Sequence, residues 1–161
     1  MQQFNLRQLT QLTNIPIRRL RHVLDSELIP GRGWYVAENE KWTPRIVDED
    51  AAVLLICAAV LLGVGYKAER VGEFVAAAEG VKAKLKGRNP LNVSILDIAS
   101  TTDKNALFAV GDHSHVRITA GDHDSGWVDV DTGKVEKRRV NHLATTTVDF
   151  SEIKTLLSQK K

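Results

Sequence analysis

Residues Phe4 to Pro30 read FNLRQLTQLTNIPIRRLRHVLDSELIP, and the repeat of their apolar positions decides how the first half of the chain folds. Leu6, Leu9 and Leu12 recur at helical spacing, Thr13-Asn14 interrupts them, and a second helical period runs through Ile17, Leu20, Val23, Leu24 and Leu28. Two helices joined by a short polar turn are predicted, which is the outline of a helix-turn-helix. Asn5 is placed to cap the first helix, Pro16 suits the first turn of the second, and Pro30-Gly31 is expected to stop it. In the second helix Arg18, Arg21, His22 and Asp25 stand at i, i+3, i+4 and i+7, turned away from Leu20, Val23 and Leu24. One apolar face and one arginine-bearing face are what a helix that reads a major groove requires.

Downstream, GRGWYVAENEKWTPR (31–45) has aromatic positions on either side of the polar turn Glu38-Asn39-Glu40, and two short strands forming a wing are expected. Trp34, Tyr35 and Trp42 are read as packing that pins this wing, since aromatic stacking platforms suit single strands. Asp48-Glu49-Asp50 carries acidic charge at the N-terminal, positive end of the next helix. That helix, AAVLLICAAVLLGVG (51–65), is apolar on every side and must be covered on every side, by its own domain or by a partner subunit. It falls short of the roughly 20 residues a membrane span needs. A further helix is predicted over Lys67 to Lys86, with Val71, Phe74, Val75, Ala78, Val81 and Leu85 along one side. Gly87-Arg88-Asn89-Pro90 ends it and marks a domain boundary.

After Pro90 the period changes from helical to alternating. NVSILDIA, ALFAVG, HVRITAG, GWVDVDTGKVEKRRV and LATTTVDF read as strands separated by Asp, Gly, Asn and Ser turns, with Gly133 suited to a hairpin. Ser151 is expected to cap a short last helix that carries Ile153, Leu156 and Leu157.

Composition sets the outer bounds. The 161 residues are 43% hydrophobic and 26% charged, an ordinary globular balance. A single cysteine excludes an internal disulfide and any paired zinc spacing, and with no signal-peptide pattern at the N-terminus a cytoplasmic setting is expected. Residues 1–90 hold 13 Lys and Arg against 10 Asp and Glu, and residues 91–161 hold 9 against 10, so the basic excess lies with the helix-turn-helix half. Such a bias permits nucleic-acid binding without establishing it.

The run NIPIRRLRHVLDSELIPG, a wing closing on Trp42-Thr43-Pro44-Arg45, and IVDEDAAVLLICAAVLLGVGYKAERVGEFV together resemble the MerR-like winged helix-turn-helix family over roughly the first 75 residues. Leu20-Arg21 matches that family's Leu-Arg pair, Leu28-Ile29-Pro30 its exit, Arg45 its wing arginine and Leu62-Gly63 its break before the next helix. The chain departs from the pattern in having His22 and Val23 where the family has aromatics, and Glu27 where it has a glycine. No coiled-coil dimeriser follows, and the cysteines with which some members sense metals are missing. The resemblance implies that Arg21 contacts backbone or base edges and that Arg45 approaches the neighbouring minor groove or phosphates.

Other chemistry is weaker. His113 and His115, with Asp112, His123, Asp124 and His142, are candidate metal ligands, but Asp, Gly and His are also ordinary turn residues, and no metal or cofactor is assigned. No nucleophile-elbow serine or phosphate-cradling glycine loop occurs, so no catalytic residue is assigned. Lys82, Lys84, Lys86 and Arg88 are explained by a helix C-terminus, with a phosphate contact as the open alternative.

The expectation is an α+β protein. A winged helix-turn-helix with supporting helices spans residues 1–90, and a small, mostly antiparallel β domain with a C-terminal helix spans 91–161, serving oligomerisation or an effector. The residues expected to meet DNA are Ile17, Arg18, Arg19, Arg21, His22, Arg32, Lys41 and Arg45. The expected function is sequence-specific binding of double-stranded DNA by a homodimer or higher homo-oligomer acting as a transcriptional regulator, not an enzyme and with no membrane partner. A phage-type excisionase or small terminase subunit, or a protein-interaction module without DNA binding, are the alternatives.

Overall fold

The computed structural model of the protein describes residues 2–29, 45–78, 106–120, 123–136 and 142–159. The expected wing, with Arg32 and Lys41, lies outside the described residues except for its last residue, Arg45; residues 79–90 and the expected strand NVSILDIA lie outside them too. Locally, Asn5 caps α1 (Leu6–Thr13) as predicted, its side chain accepting the Gln8 N–H at 2.9 Å while the Gln8 side chain accepts the Asn5 N–H at 2.9 Å. Pro16 occupies the cap of α2 (Ile17–Asp25), one position before the first turn that its sequence context suggests.

Helix α2 stops five residues before Pro30. Glu27 takes φ +52°, the Glu27 N–H donates to the Leu24 carbonyl at 3.1 Å, and the Leu28 N–H reaches the Val23 carbonyl at 3.1 Å. This is a Schellman motif in which glutamate fills the left-handed position that glycine favours. Leu28 is thereby taken off the helix and buried, 6% exposed, beside Gly72.

Two short strands are absent from the sequence reading. β1 (Gln3–Asn5) pairs antiparallel with β2 (Ile46–Asp48), Phe4 opposite Val47 with neither exposed. Asp48 then caps α3 (Glu49–Gly63), accepting the Ala51 N–H at 2.7 Å, so the acidic start acts as expected. Gly65, at φ +106°, closes α3 in a second Schellman motif, the Tyr66 N–H donating to the Leu61 carbonyl at 3.2 Å.

Helix α3 is covered by its own chain. α2 and α4 (Ala68–Ala78), β1 and β2 pack on it from the first half; the last strand β7 (Thr145–Asp149) and helix α5 (Phe150–Ser158) pack on it from the second. Every residue from Ala51 to Ala59 is at most 2% exposed. The apolar surface that suggested a partner subunit is accounted for within one chain, so the motive for a dimer drawn from it is removed. One hydrophobic cluster runs from Phe4 to Leu157, and among the described residues no helix is long and apolar enough to cross a membrane.

The second half is a sheet of order β5-β4-β3-β7, antiparallel throughout, built from β3 (Ala106–Gly111), β4 (His115–Ala120), β5 (His123–Asp124) and β7, with β6 (Val128–Asp129) also pairing β4. Alternation puts Ala106, Phe108 and Val110 on the buried face of β3, with Val116, Ile118 and Ala120 of β4 beside them. Gly133 takes φ +71° in the hairpin predicted around it. α5 is capped by Asp149, which accepts the Glu152 N–H at 3.0 Å; Ser151 instead accepts the Ala106 N–H at 2.7 Å and ties the helix to the start of β3. Among the described residues the architecture is mixed α+β, with two antiparallel sheets and a C-terminal helix.

Candidate nucleic-acid interface

The turn between α1 and α2 consists of Asn14, Ile15 and Pro16. Asn14 adopts φ +60° and donates its N–H to the Thr10 carbonyl at 2.9 Å, a left-handed conformation that asparagine accepts more readily than most residues. Thr13 fixes the exit: its hydroxyl donates to the Leu9 carbonyl at 2.7 Å and accepts the Ile15 N–H at 3.2 Å.

Leu20, Val23 and Leu24 are at most 1% exposed and hold α2 against α3, while Arg18, Arg21, His22 and Asp25 are exposed along the opposite side. The predicted stripe is therefore a surface feature with a rigid backing. Ile17 packs at the edge of the core. Arg45 forms an ion pair with Asp25, bringing the last residue of the expected wing segment to the end of α2 and balancing the one carboxylate of the stripe.

Arg19 takes another course. A Cβ placed on Gly63 would stand 2.5 Å from its Nη1, so the guanidinium lies over the last turn of α3, the negative end of that helix. Its position in α2, about 100° around from Arg18, already separates it from the stripe. Arg7 on α1 is exposed and was not singled out by the sequence pattern.

The ion pairs sort the arginines. Arg70 binds Asp131 through two hydrogen bonds of 2.6 and 2.8 Å and also Glu73 at 2.6 Å. These bonds raise the Arg70 pKa and hold the Asp131 carboxyl below the usual range. Arg117 is paired with Asp124, which raises its pKa too. Among the described residues, the guanidiniums without a carboxylate partner are Arg7, Arg18, Arg19 and Arg21, all within α1 and α2. Helix α2 also starts without a side-chain cap and with no acidic residue in its first turn, whereas α1, α3 and α5 are each capped by Asn or Asp.

The histidines meet only in part. The His142 ring, with its side chain 3% exposed, lies over Gly111, 4.3 Å from Trp127 and 5.0 Å from His115 between ring centroids. Asp112 accepts the Ala144 N–H at 3.1 Å, the Leu143 N–H at 3.2 Å and a hydrogen bond from His142 Nδ1 at 2.9 Å. Its carboxyl is held below the ordinary range, first by the Ala144 bond and then by His142. These contacts fasten the segment leading into β7 to the β3–β4 turn. His113 instead packs against Tyr66, 5.1 Å between ring centroids. Among the described residues no group of three or more His, Cys, Asp or Glu is arranged to hold a metal ion. Cys57 is fully buried and burial pushes its thiol up to about 12, so it stays protonated at neutral pH.

Compared with models of protein families, with curated proteins and with solved structures, the chain gives no match.

Proposed function

We propose that this chain binds double-stranded DNA sequence-specifically, with α2 in the major groove. One observation carries the reading: Arg18 and Arg21 project from a face whose reverse side is locked to the core, and neither has an acidic partner among the described residues. An unpaired guanidinium on a fixed helix suits a phosphate or a base edge, because its planar fork is already oriented and no internal ion pair must be broken first. The uncapped first turn of α2 is consistent with a backbone phosphate beside Ile17 and Arg18. The pairing of Arg45 with Asp25 removes the repulsion that a bare carboxylate would offer the duplex.

The MerR-like resemblance belongs to the same proposal. Glu27 adopts the left-handed geometry at the position where that family carries glycine, so the departure in residue type leaves the backbone turn in place. Control of transcription is the role such a reader would serve, and mapping its bound sites separates promoter binding from recombination or packaging sites.

The direct test is a salt titration of binding to a random-sequence duplex followed by fluorescence anisotropy. Affinity is expected to fall linearly in log–log form, with a slope of roughly 0.9 per phosphate contact. Arg21→Ala is expected to weaken binding, while its circular dichroism spectrum stays that of the parent. Absence of duplex affinity at low salt overturns the proposal.

A further inference from the structure

We infer that the α2 face reads guanine, through Arg18 and Arg21 engaging two guanines on neighbouring or next-but-one base pairs; this rests on the DNA-binding reading above. The exposed stripe holds two arginines, one histidine and one aspartate. Its acceptor, Asp25, is engaged by Arg45, and His22 Nδ1 faces the Ser26 hydroxyl at 3.3 Å. At Arg18 and Arg21 the helix thus presents a pair of guanidiniums, which donate and never accept.

A donor-only group selects among base edges. In the major groove guanine offers two adjacent acceptors, N7 and O6; adenine pairs an acceptor with a donor, cytosine offers a donor, and thymine an acceptor beside a methyl group. Only guanine satisfies both arms of a guanidinium fork. Adenine would leave its amino group facing an N–H, and cytosine would set donor against donor.

Spacing fixes the register. Arg18 and Arg21 are three residues apart, about 4.5 Å along the helix axis and about 60° apart around it. Successive bases rise about 3.4 Å. Two side chains with that offset fall on adjacent steps or skip one, giving a GG or GNG element. Arg19 is directed elsewhere, its guanidinium lying over Gly63 at the end of α3. Both reading residues lie within the first five residues of α2, towards the end of a recognition helix that reaches base edges.

The test uses a duplex recovered by selection from a random library with the full-length protein. Guanines in the enriched element are replaced one at a time by 7-deazaguanine, which lacks the N7 acceptor, or by inosine, which keeps the whole major-groove edge. Each contacted 7-deazaguanine is expected to lower affinity roughly 5- to 150-fold, and inosine at the same position to leave it within about twofold. Arg18→Ala removes the fork, so it is expected to weaken binding roughly 5- to 150-fold and to relax the preference for guanine at one position. If the selected sites lack paired guanines, or 7-deazaguanine duplexes bind as tightly as the parent duplex, guanine readout is overturned and DNA binding stands. Failure to bind any duplex at low salt overturns both. Loss of affinity with inosine but not with 7-deazaguanine assigns recognition to the minor groove and likewise overturns the inference.

Discussion

Replacing Glu27 by glycine is expected to stabilise the protein. Glu27 occupies the left-handed position of the Schellman motif that ends α2, at φ +52°. For a residue with a Cβ this conformation costs roughly 1–2 kcal/mol. Glycine removes that cost but gives the unfolded chain more freedom, worth about 0.5–1 kcal/mol in the opposite direction. The exposed Glu27 side chain makes no hydrogen bond or ion pair with another described residue, so no contact is lost. Its charge also sits at the negative end of α2, where removal of a carboxylate is favourable by a few tenths of a kcal/mol. The balance is a gain of about 0.5–1 kcal/mol, or an increase in Tm of about 1–4 °C for a chain of this size.

Urea denaturation monitored by circular dichroism reads the effect directly: the midpoint should rise with the slope unchanged. Glu27→Ala serves as the control, since it removes the charge and keeps the Cβ, and it should recover no more than the few tenths assigned to charge. Gly65 supplies the mirror case. It holds the equivalent position after α3 at φ +106°, where a side chain is strained, and Gly65→Ala should destabilise by about 1 kcal/mol or more. A Glu27→Gly protein no more stable than Glu27→Ala would refute the backbone account of how α2 ends.

Two further outcomes follow from packing and charge. Leu54 is fully buried in α3, so Leu54→Ala is expected to cost about 2–5 kcal/mol; because the covering elements belong to the same chain, the Tm of parent and variant should be independent of protein concentration, and a Tm that rises with concentration would show that a partner subunit completes the core. Asp131 has its carboxyl held down in the folded state by Arg70, so its contribution is present above the ordinary carboxylate value and is lost as pH falls through the lower folded value. Asp131→Asn should therefore flatten the acid limb of a urea-midpoint profile below about pH 4, with a small amplitude because Asp131 is exposed to solvent, and an acid limb identical to the parent's would remove the pair from the pH dependence.

Much of the helical framework was legible because its signals are local. Asn5 with Gln8, Asp48 with Ala51, and the period of α2 lie within a few residues of the contacts they make. β1 and β2 were not legible: three residues each are too few to show alternation, and Phe4 finds Val47 only after the intervening chain has returned. The end of α2 was misplaced for a related reason, since the apolar period continues to Leu28 while Glu27 has already left the helical region. Hydropathy correctly demanded a cover for α3 but could not name it, because α5 arrives from about ninety residues downstream. The same limit applies to the candidate interface. Every arginine carries the same charge in the sequence, and the fold decides which of them already has a carboxylate. Arg45, Arg70 and Arg117 acquire one; Arg19 is turned over the end of α3. Of the described arginines expected to meet DNA, Arg18 and Arg21 are thus the two that are both exposed and without a carboxylate partner, a distinction the fold makes and residue type does not.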